Sequence, residues 1–217
     1  MSRPSESPSS HTGAPSLLDV VPVVPVVVVD DLESAVPLAR ALVAGGLPVI
    51  ELTLRTPVAL DAIRAIADEV PDILVGAGTV LTPGQAKQAH DAGAQFLVSP
   101  GATPALLGGM ADTGLPFLPG TATVSEVLAV LEAGITEMKF FPAEASGGTA
   151  FLGSIASPVP GARFCPTGGI TAATAGDYLA LPNVGCVGGS WLTPPDAVAA
   201  GDWARVERLA AEAAALG

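Results

Sequence analysis

The stretch Pro48–Pro83, PVIELTLRTPVALDAIRAIADEVPDILVGAGTVLTP, carries the pattern that the rest of the chain repeats. Its apolar runs Pro48-Val49-Ile50-Glu51-Leu52 and Ile73-Leu74-Val75-Gly76-Ala77 are too short for buried helices and read as strands. Between them, Thr56-Pro57 opens a segment with Leu60, Ile63, Ile66 and Ala67 at helical spacing, proline being favoured at a first helical position. Thr82-Pro83 opens the next helix in the same way. Strands apolar on both faces, each followed by a helix, mark a parallel sheet covered by helices.

The alternation extends in both directions. Upstream, Val23 to Val29 is a β-branched run, and Asp30 or Asp31 caps a helix that Gly45-Gly46 stops. Downstream, Phe96-Leu97-Val98 is a strand and Thr103-Pro104 opens a helix ending near Gly114. Pro116-Phe117-Leu118 leads to a helix from Thr123 to Gly134. Glu137 to Phe141 is the sixth strand, with a helix from about Thr149 to Ala156. Arg163-Phe164-Cys165 precedes a helix capped by Thr171, and Val184 to Val187 precedes a last helix from Trp203 to Leu216. Eight such units in 217 residues favour a single-domain (β/α)8 TIM barrel over residues 17–217. The alternative is a doubly wound open sheet. That fold usually places a glycine-rich phosphate loop after its first strand, whereas Asp30-Asp31-Leu32-Glu33 stands there. Residues 1–16, rich in Ser and Pro, read as a disordered tail.

Composition narrows the function classes. The net charge is -12, from 9 basic against 21 acidic side chains, and no basic run exists, which argues against nucleic acid and membrane surfaces as partners. The apolar run Val20 to Val29 contains Pro22 and Pro25 and reads as a buried strand rather than a signal-peptide core. Cys165 and Cys186 lack CxxC spacing and read as buried thiols of a cytoplasmic protein. His11 lies in the tail and His90 on a helix, so no histidine converges on the strand ends and no metal or other cofactor is expected.

Active sites of such barrels lie at the C-terminal strand ends. There the chain places Glu51 and Arg55, Thr79, Ser99-Pro100-Gly101, Pro119-Gly120-Thr121, Lys139, Thr167-Gly168-Gly169 and Gly188-Gly189-Ser190. Lys139 is one of two lysines, and it interrupts an apolar strand. It either snorkels its head to solvent or is held where burial disfavours the charged amine, as a Schiff-base nucleophile requires. Glu51 likewise interrupts a buried strand, as the salt-bridge partner of Arg55 or as an acid/base facing Lys139. Arg55 suits a substrate carboxylate, with hydroxyls of Thr79 and Thr167 as further donors. The glycine pairs after strands seven and eight are either turns or the backbone cradle of a phosphate.

Five segments then carry a resemblance: Val49 to Thr56, Val75 to Val80, Phe96 to Gly101, Met138 to Glu144 and Arg163 to Ile170, joined by Gly188 to Leu192. Together they resemble the 2-keto-3-deoxy-6-phosphogluconate (KDPG) and 4-hydroxy-2-oxoglutarate aldolases, from about Leu17 to the C-terminus. The resemblance implies a metal-independent class I lyase on a (β/α)8 barrel, a cytoplasmic homotrimer of the Entner–Doudoroff pathway. Its substrate is a phosphorylated keto acid, cleaved to pyruvate and glyceraldehyde 3-phosphate. Lys139 would form the Schiff base and Glu51 act as acid/base. Arg55 and Thr79 would hold the pyruvyl carboxylate, with Thr167 near the same end. Phe141 would pack by the imine and Pro100 line the pocket, while Gly168, Gly169 and Ser190 would hold the phosphate. The loop Glu144 to Phe151 carries no basic residue where relatives can place a lysine. Three rivals stay open: an aldolase for the galactonate epimer, a non-covalent phosphosugar isomerase or epimerase, and a silent metabolite-binding barrel.

Overall fold

The computed structural model describes residues 16–217, so the tail reading lies outside it except at Ser16. Ser16 is built into the fold, capping the 3-10 turn Leu17–Asp19 through its side chain and donating to Glu137 Oε1 at 2.5 Å.

Among the described residues, nine short strands are interspersed with helices. They are β1 (Val23–Val27), β2 (Val49–Thr53), β3 (Leu74–Gly78), β4 (Phe96–Val98), β5 (Phe117–Leu118), β6 (Gly120–Thr121), β7 (Glu137–Phe140), β8 (Arg163–Pro166) and β9 (Val187–Gly189). The main helices are α1 (Leu32–Ala44), α2 (Ala59–Glu69), α3 (Pro83–Asp91), α4 (Pro104–Ala111), α5 (Val124–Glu132), α6 (Gly148–Ile155), α7 (Ala175–Leu179), α8 (Pro195–Ala200) and α9 (Trp203–Ala214). Every pairing is parallel. One sheet runs β5-β4-β3-β2-β1-β9 and a second runs β6-β7-β8. The expected fifth strand is thus two segments parted at Pro119, one in each sheet. A lone parallel bridge, Thr167↔Gly188, links the end of β8 to β9. The fold is therefore α/β with a curled parallel sheet, as the alternation predicts.

Helix starts follow the sequence where a threonine side chain is free to cap. Thr82, Thr103 and Thr123 accept from the third helical N–H of α3, α4 and α5, and Thr123 closes a capping box with Glu126. Asp31 caps α1. Thr56 does not cap α2: its hydroxyl donates to Val29 O at 2.6 Å, tying the β2 exit to the end of the β1 segment, and the helix begins at Ala59. Thr171 is also corrected. It sits in a turn closed on Thr174, and α7 begins only at Ala175. The last strand lies further along than expected, so Gly188 and Gly189 are strand residues rather than a loop. The reason is space: a Cβ on Gly188 would lie 2.2 Å from Thr167 Oγ1.

The core is aliphatic and continuous from Leu17 to Ala213. Its largest aromatic cluster is outside the sheet, where Phe140 stacks on Phe151 of α6 at 5.0 Å and meets Phe164 edge-on at 6.4 Å. Strand alternation then turns Lys139, the neighbour of Phe140, to the inner face. At the opposite end of the strands Arg163 pairs with Asp19 at 2.5 Å and Glu137 at 3.1 Å. Among the described residues no helix is long and apolar enough to cross a membrane.

Candidate active site

Inside the sheet, Lys139 Nζ on β7 donates to Glu51 Oε1 on β2 at 3.0 Å. The two side chains are 6% and 3% exposed, so the pair is cut off from bulk water. A buried charge must be paired, and this contact answers why both residues interrupt apolar strands. Glu51 does not pair with Arg55, and Lys139 does not snorkel. The Phe141 ring covers the amine, its centroid 5.4 Å from Nζ. Gly78 on β3 makes room for the carboxylate: a Cβ there would stand 2.2 Å from Glu51 Oε1.

A cavity of about 230 Å³ opens at the C-terminal strand ends, lined by Val26, Val28, Thr53, Arg55, Phe141, Thr167, Gly168, Gly169, Ile170, Gly188 and Ser190. Its relation to the ion pair follows from strand period. Side chains at i and i+2 share a face. Thr53 stands two residues beyond Glu51, and Phe141 two beyond Lys139. Thr167 stands two beyond Cys165, which pairs with Lys139 in register. The cavity is therefore one layer above the Lys139–Glu51 pair. Arg55 stands exposed at the rim and makes no ion pair among the described residues, while Lys87, the other lysine, is spent on Asp91 at 2.6 Å.

The Gly168–Gly169 turn is left-handed at both residues, with φ of 103° and 84°. The N–H groups of Gly169, Ile170 and Ser190 bond to no acceptor among the described residues. Three backbone donors free among the described residues line one cavity, an arrangement suited to an anion, and Arg55 is the one cationic side chain in its lining.

Two expected residues stand apart from the cavity lining. Thr79 is half-buried at the end of β3 and takes φ of 57°, a conformation costly for a β-branched residue. Pro100 packs its backbone on Gly120, where a Cβ would come within 2.2 Å of it. Conversely, Thr53 was overlooked. It lines the cavity and donates to Val27 O at 3.0 Å, and its place two residues after Glu51 is the signal that would have found it. Cys165 and Cys186 are free and buried, and hydrogen bonding between them together with burial pushes the Cys186 thiol up. A larger cavity of about 360 Å³, between α3 and α4, shares no residue with this site.

Residues 15–209 match the family described as "Aldolase: KDPG and KHG aldolase". The chain is 56% identical over 202 residues to the KHG/KDPG aldolase of Escherichia coli K12, covering 93% of this chain and 95% of that one. It is 54% identical over 204 residues to the 2-dehydro-3-deoxy-phosphogluconate aldolase of Dickeya dadantii, covering 94% and 96%. Among solved structures it superimposes with a TM-score of 0.89, at 46% identity, on a KDPG aldolase from Legionella pneumophila that holds pyruvate as a covalent carbinolamine, covering 91% of this chain and 96% of that one.

Proposed function

We propose, from the premise that this chain belongs to the KDPG and KHG aldolase family, that it is a class I aldolase whose Schiff-base lysine is Lys139. Its substrate is 2-dehydro-3-deoxy-6-phosphogluconate, cleaved to pyruvate and D-glyceraldehyde 3-phosphate. The shorter 4-hydroxy-2-oxoglutarate is cleaved to pyruvate and glyoxylate at the same site. The observation that carries this reading is the isolated 3.0 Å contact between Lys139 Nζ and Glu51 Oε1 beneath a cavity with an anion cradle.

The chemistry follows from that contact. Glu51 takes a proton from Nζ, and the freed lone pair attacks the C2 carbonyl to give a carbinolamine. Glu51 returns the proton to the departing hydroxyl, water leaves, and an iminium remains. That cation is the electron sink for the C3–C4 bond. Glu51, through a water, removes the C4 hydroxyl proton, the C3–C4 electrons move into the iminium, and the aldehyde departs. Protonation of the enamine at C3 and hydrolysis release pyruvate and restore the amine. Arg55 at the rim, with Thr79 and Thr167, holds the pyruvyl carboxylate. Phe141 shields the imine and Pro100 closes the wall behind it. Gly168, Gly169 and Ser190 hold the phosphate.

The same reading takes residues 17–217 as one domain whose sheets close into a (β/α)8 barrel. Its support is the Thr167↔Gly188 bridge on one side and the Lys139 N–H bond to Pro119 O, 2.9 Å, on the other. It also takes the enzyme as a cytoplasmic homotrimer. The support is two buried free thiols and the exposed Leu81, Val124 and Leu128 as apolar surface for subunit contact.

Incubation with pyruvate and borohydride tests the assignment. A reduced pyruvyl adduct on Lys139, absent from Lys139→Ala, is the expected result. No adduct, or one on Lys87, overturns it and leaves the non-covalent isomerase reading.

A further inference from the structure

A second polar contact, half-buried, lies behind the anion cradle, outside the reacting groups. Tyr178 of α7 is 1% exposed, and its hydroxyl donates to Glu144 Oε1 at 2.5 Å. Glu144 opens the 3-10 turn Glu144–Ser146 that follows β7. Its backbone N–H donates to Gly168 O at 3.1 Å, beside the bond from Ala143 N to Thr167 O at 2.8 Å. Its side-chain stem fills the space under Gly169, where a Cβ would come within 2.6 Å of Glu144 Cγ. Gly148 is packed as tightly, a Cβ there standing 3.1 Å from the Tyr178 hydroxyl oxygen. The post-β7 loop, the Gly168–Gly169 turn and α7 are thus clamped through one carboxylate.

A carboxylate beside an anion cradle is unfavourable unless something holds it in place and turned away. The Tyr178 O–H does both. Burial, and then the Glu144 carboxylate, push the Tyr178 phenol above its ordinary value, so it stays a donor across the working pH range.

We infer that the Tyr178–Glu144 contact is a positioning strut for the phosphate end of the site, setting the preference for phosphorylated over unphosphorylated substrate. The inference rests on the Schiff-base reading above. KDPG reaches the cradle with a phosphate on its sixth carbon. 4-Hydroxy-2-oxoglutarate ends at its C5 carboxylate, one carbon beyond C4, and does not extend to it. Loosening the Gly168–Gly169 turn weakens the first and leaves the second.

Steady-state kinetics of Tyr178→Phe on both substrates, alongside pyruvate–borohydride trapping, tests this. A lost hydrogen bond of ordinary net strength predicts a rise in KM for KDPG of about five- to tenfold, with kcat nearly unchanged. KM for 4-hydroxy-2-oxoglutarate and trapping at Lys139 stay at wild-type levels. Glu144→Ala, at an exposed position, repeats the effect without burying a new group, and Glu144→Gln, which keeps the acceptor, restores the wild-type KM. An unchanged KM for KDPG in both Tyr178→Phe and Glu144→Ala overturns the inference, as does an equal loss on both substrates. Failure to trap pyruvate in the wild-type enzyme instead overturns the Schiff-base reading.

Discussion

Gly78→Ala tests the site with one methyl group. Gly78 ends β3 without a left-handed φ, so alanine costs no backbone strain there. The added Cβ would lie 2.2 Å from Glu51 Oε1, 2.6 Å from Cγ and 2.7 Å from Cδ, where ordinary contact begins near 3.4 Å. The carboxylate must therefore retreat by about 1.2 Å, the difference of 3.4 and 2.2 Å, and its 3.0 Å contact with Lys139 Nζ cannot survive. A displacement of that size at a reacting group costs about 10²-fold in rate. Overpacking costs about 1–3 kcal/mol of stability, or roughly 2–12 °C in Tm for a domain of this size. Pyruvate release measured through lactate dehydrogenase and NADH reads the first, and a thermal melt reads the second. Gly108→Ala is the control, since a Cβ in α4 at that point meets nothing within 4 Å. It keeps full activity and gains about 0.5–1 kcal/mol from helix propensity. Wild-type kcat in a folded Gly78→Ala protein would show that the Glu51 position does not govern turnover.

Thr79→Gly relieves the φ of 57°, raising stability by about 1 kcal/mol, and removes a hydroxyl from the pyruvyl end. A higher Tm with a raised KM for both substrates is expected, and an unchanged Tm would show the strain to be absent. Arg163→Met removes the ion pairs with Asp19 and Glu137 at the far end of the sheet. The Arg163 hydrogen bond holds the Asp19 carboxyl below its ordinary 3.8. A lowered folded-state value means stabilisation that is present above the ordinary carboxylate range and lost as pH falls through the folded value. The Tm gap between wild type and Arg163→Met is therefore widest near neutrality and closes as pH falls through the folded-state value, with kcat unaffected at neutral pH. A gap that widens in acid refutes the assignment.

Much of the fold was legible because short apolar runs and helix caps punctuate the chain independently of tertiary contacts. Thr82-Pro83 and Thr103-Pro104 act locally, and their helices start where the sequence says. Thr56 misled because its hydroxyl is drawn to Val29 O, a partner 27 residues away that no local pattern reveals. The last strand misled for a different reason. Val184-Gly185-Cys186-Val187-Gly188-Gly189 is uniformly small or apolar, so no period marks which residues join the ladder. Lys139 and Glu51 stood out as polar residues in apolar strands, yet their pairing spans 88 residues and needed the topology. Glu144 closes the segment Met138 to Glu144 with no role of its own marked there, and nothing in the sequence ties it to Tyr178, 34 residues away.

The division between layers explains how one site separates chemistry from recognition. Glu51 and Lys139 form a floor that bulk water does not reach, and on the proposed reading a proton passes there between two groups 3.0 Å apart. Low surrounding polarity strengthens that exchange. Two residues further along the same strands, Thr53, Phe141 and Thr167 face an open cavity, the proposed place where the substrate's ends are read. Because strand period sets the two layers, the proposed mechanism predicts that a change on the floor acts on kcat and a change in the cradle acts on KM. On the proposed reading the far anion meets neutral N–H groups instead of a lysine. Such a cradle suits a phosphate without requiring one, as the proposed pair of phosphorylated and unphosphorylated keto-acid substrates demands.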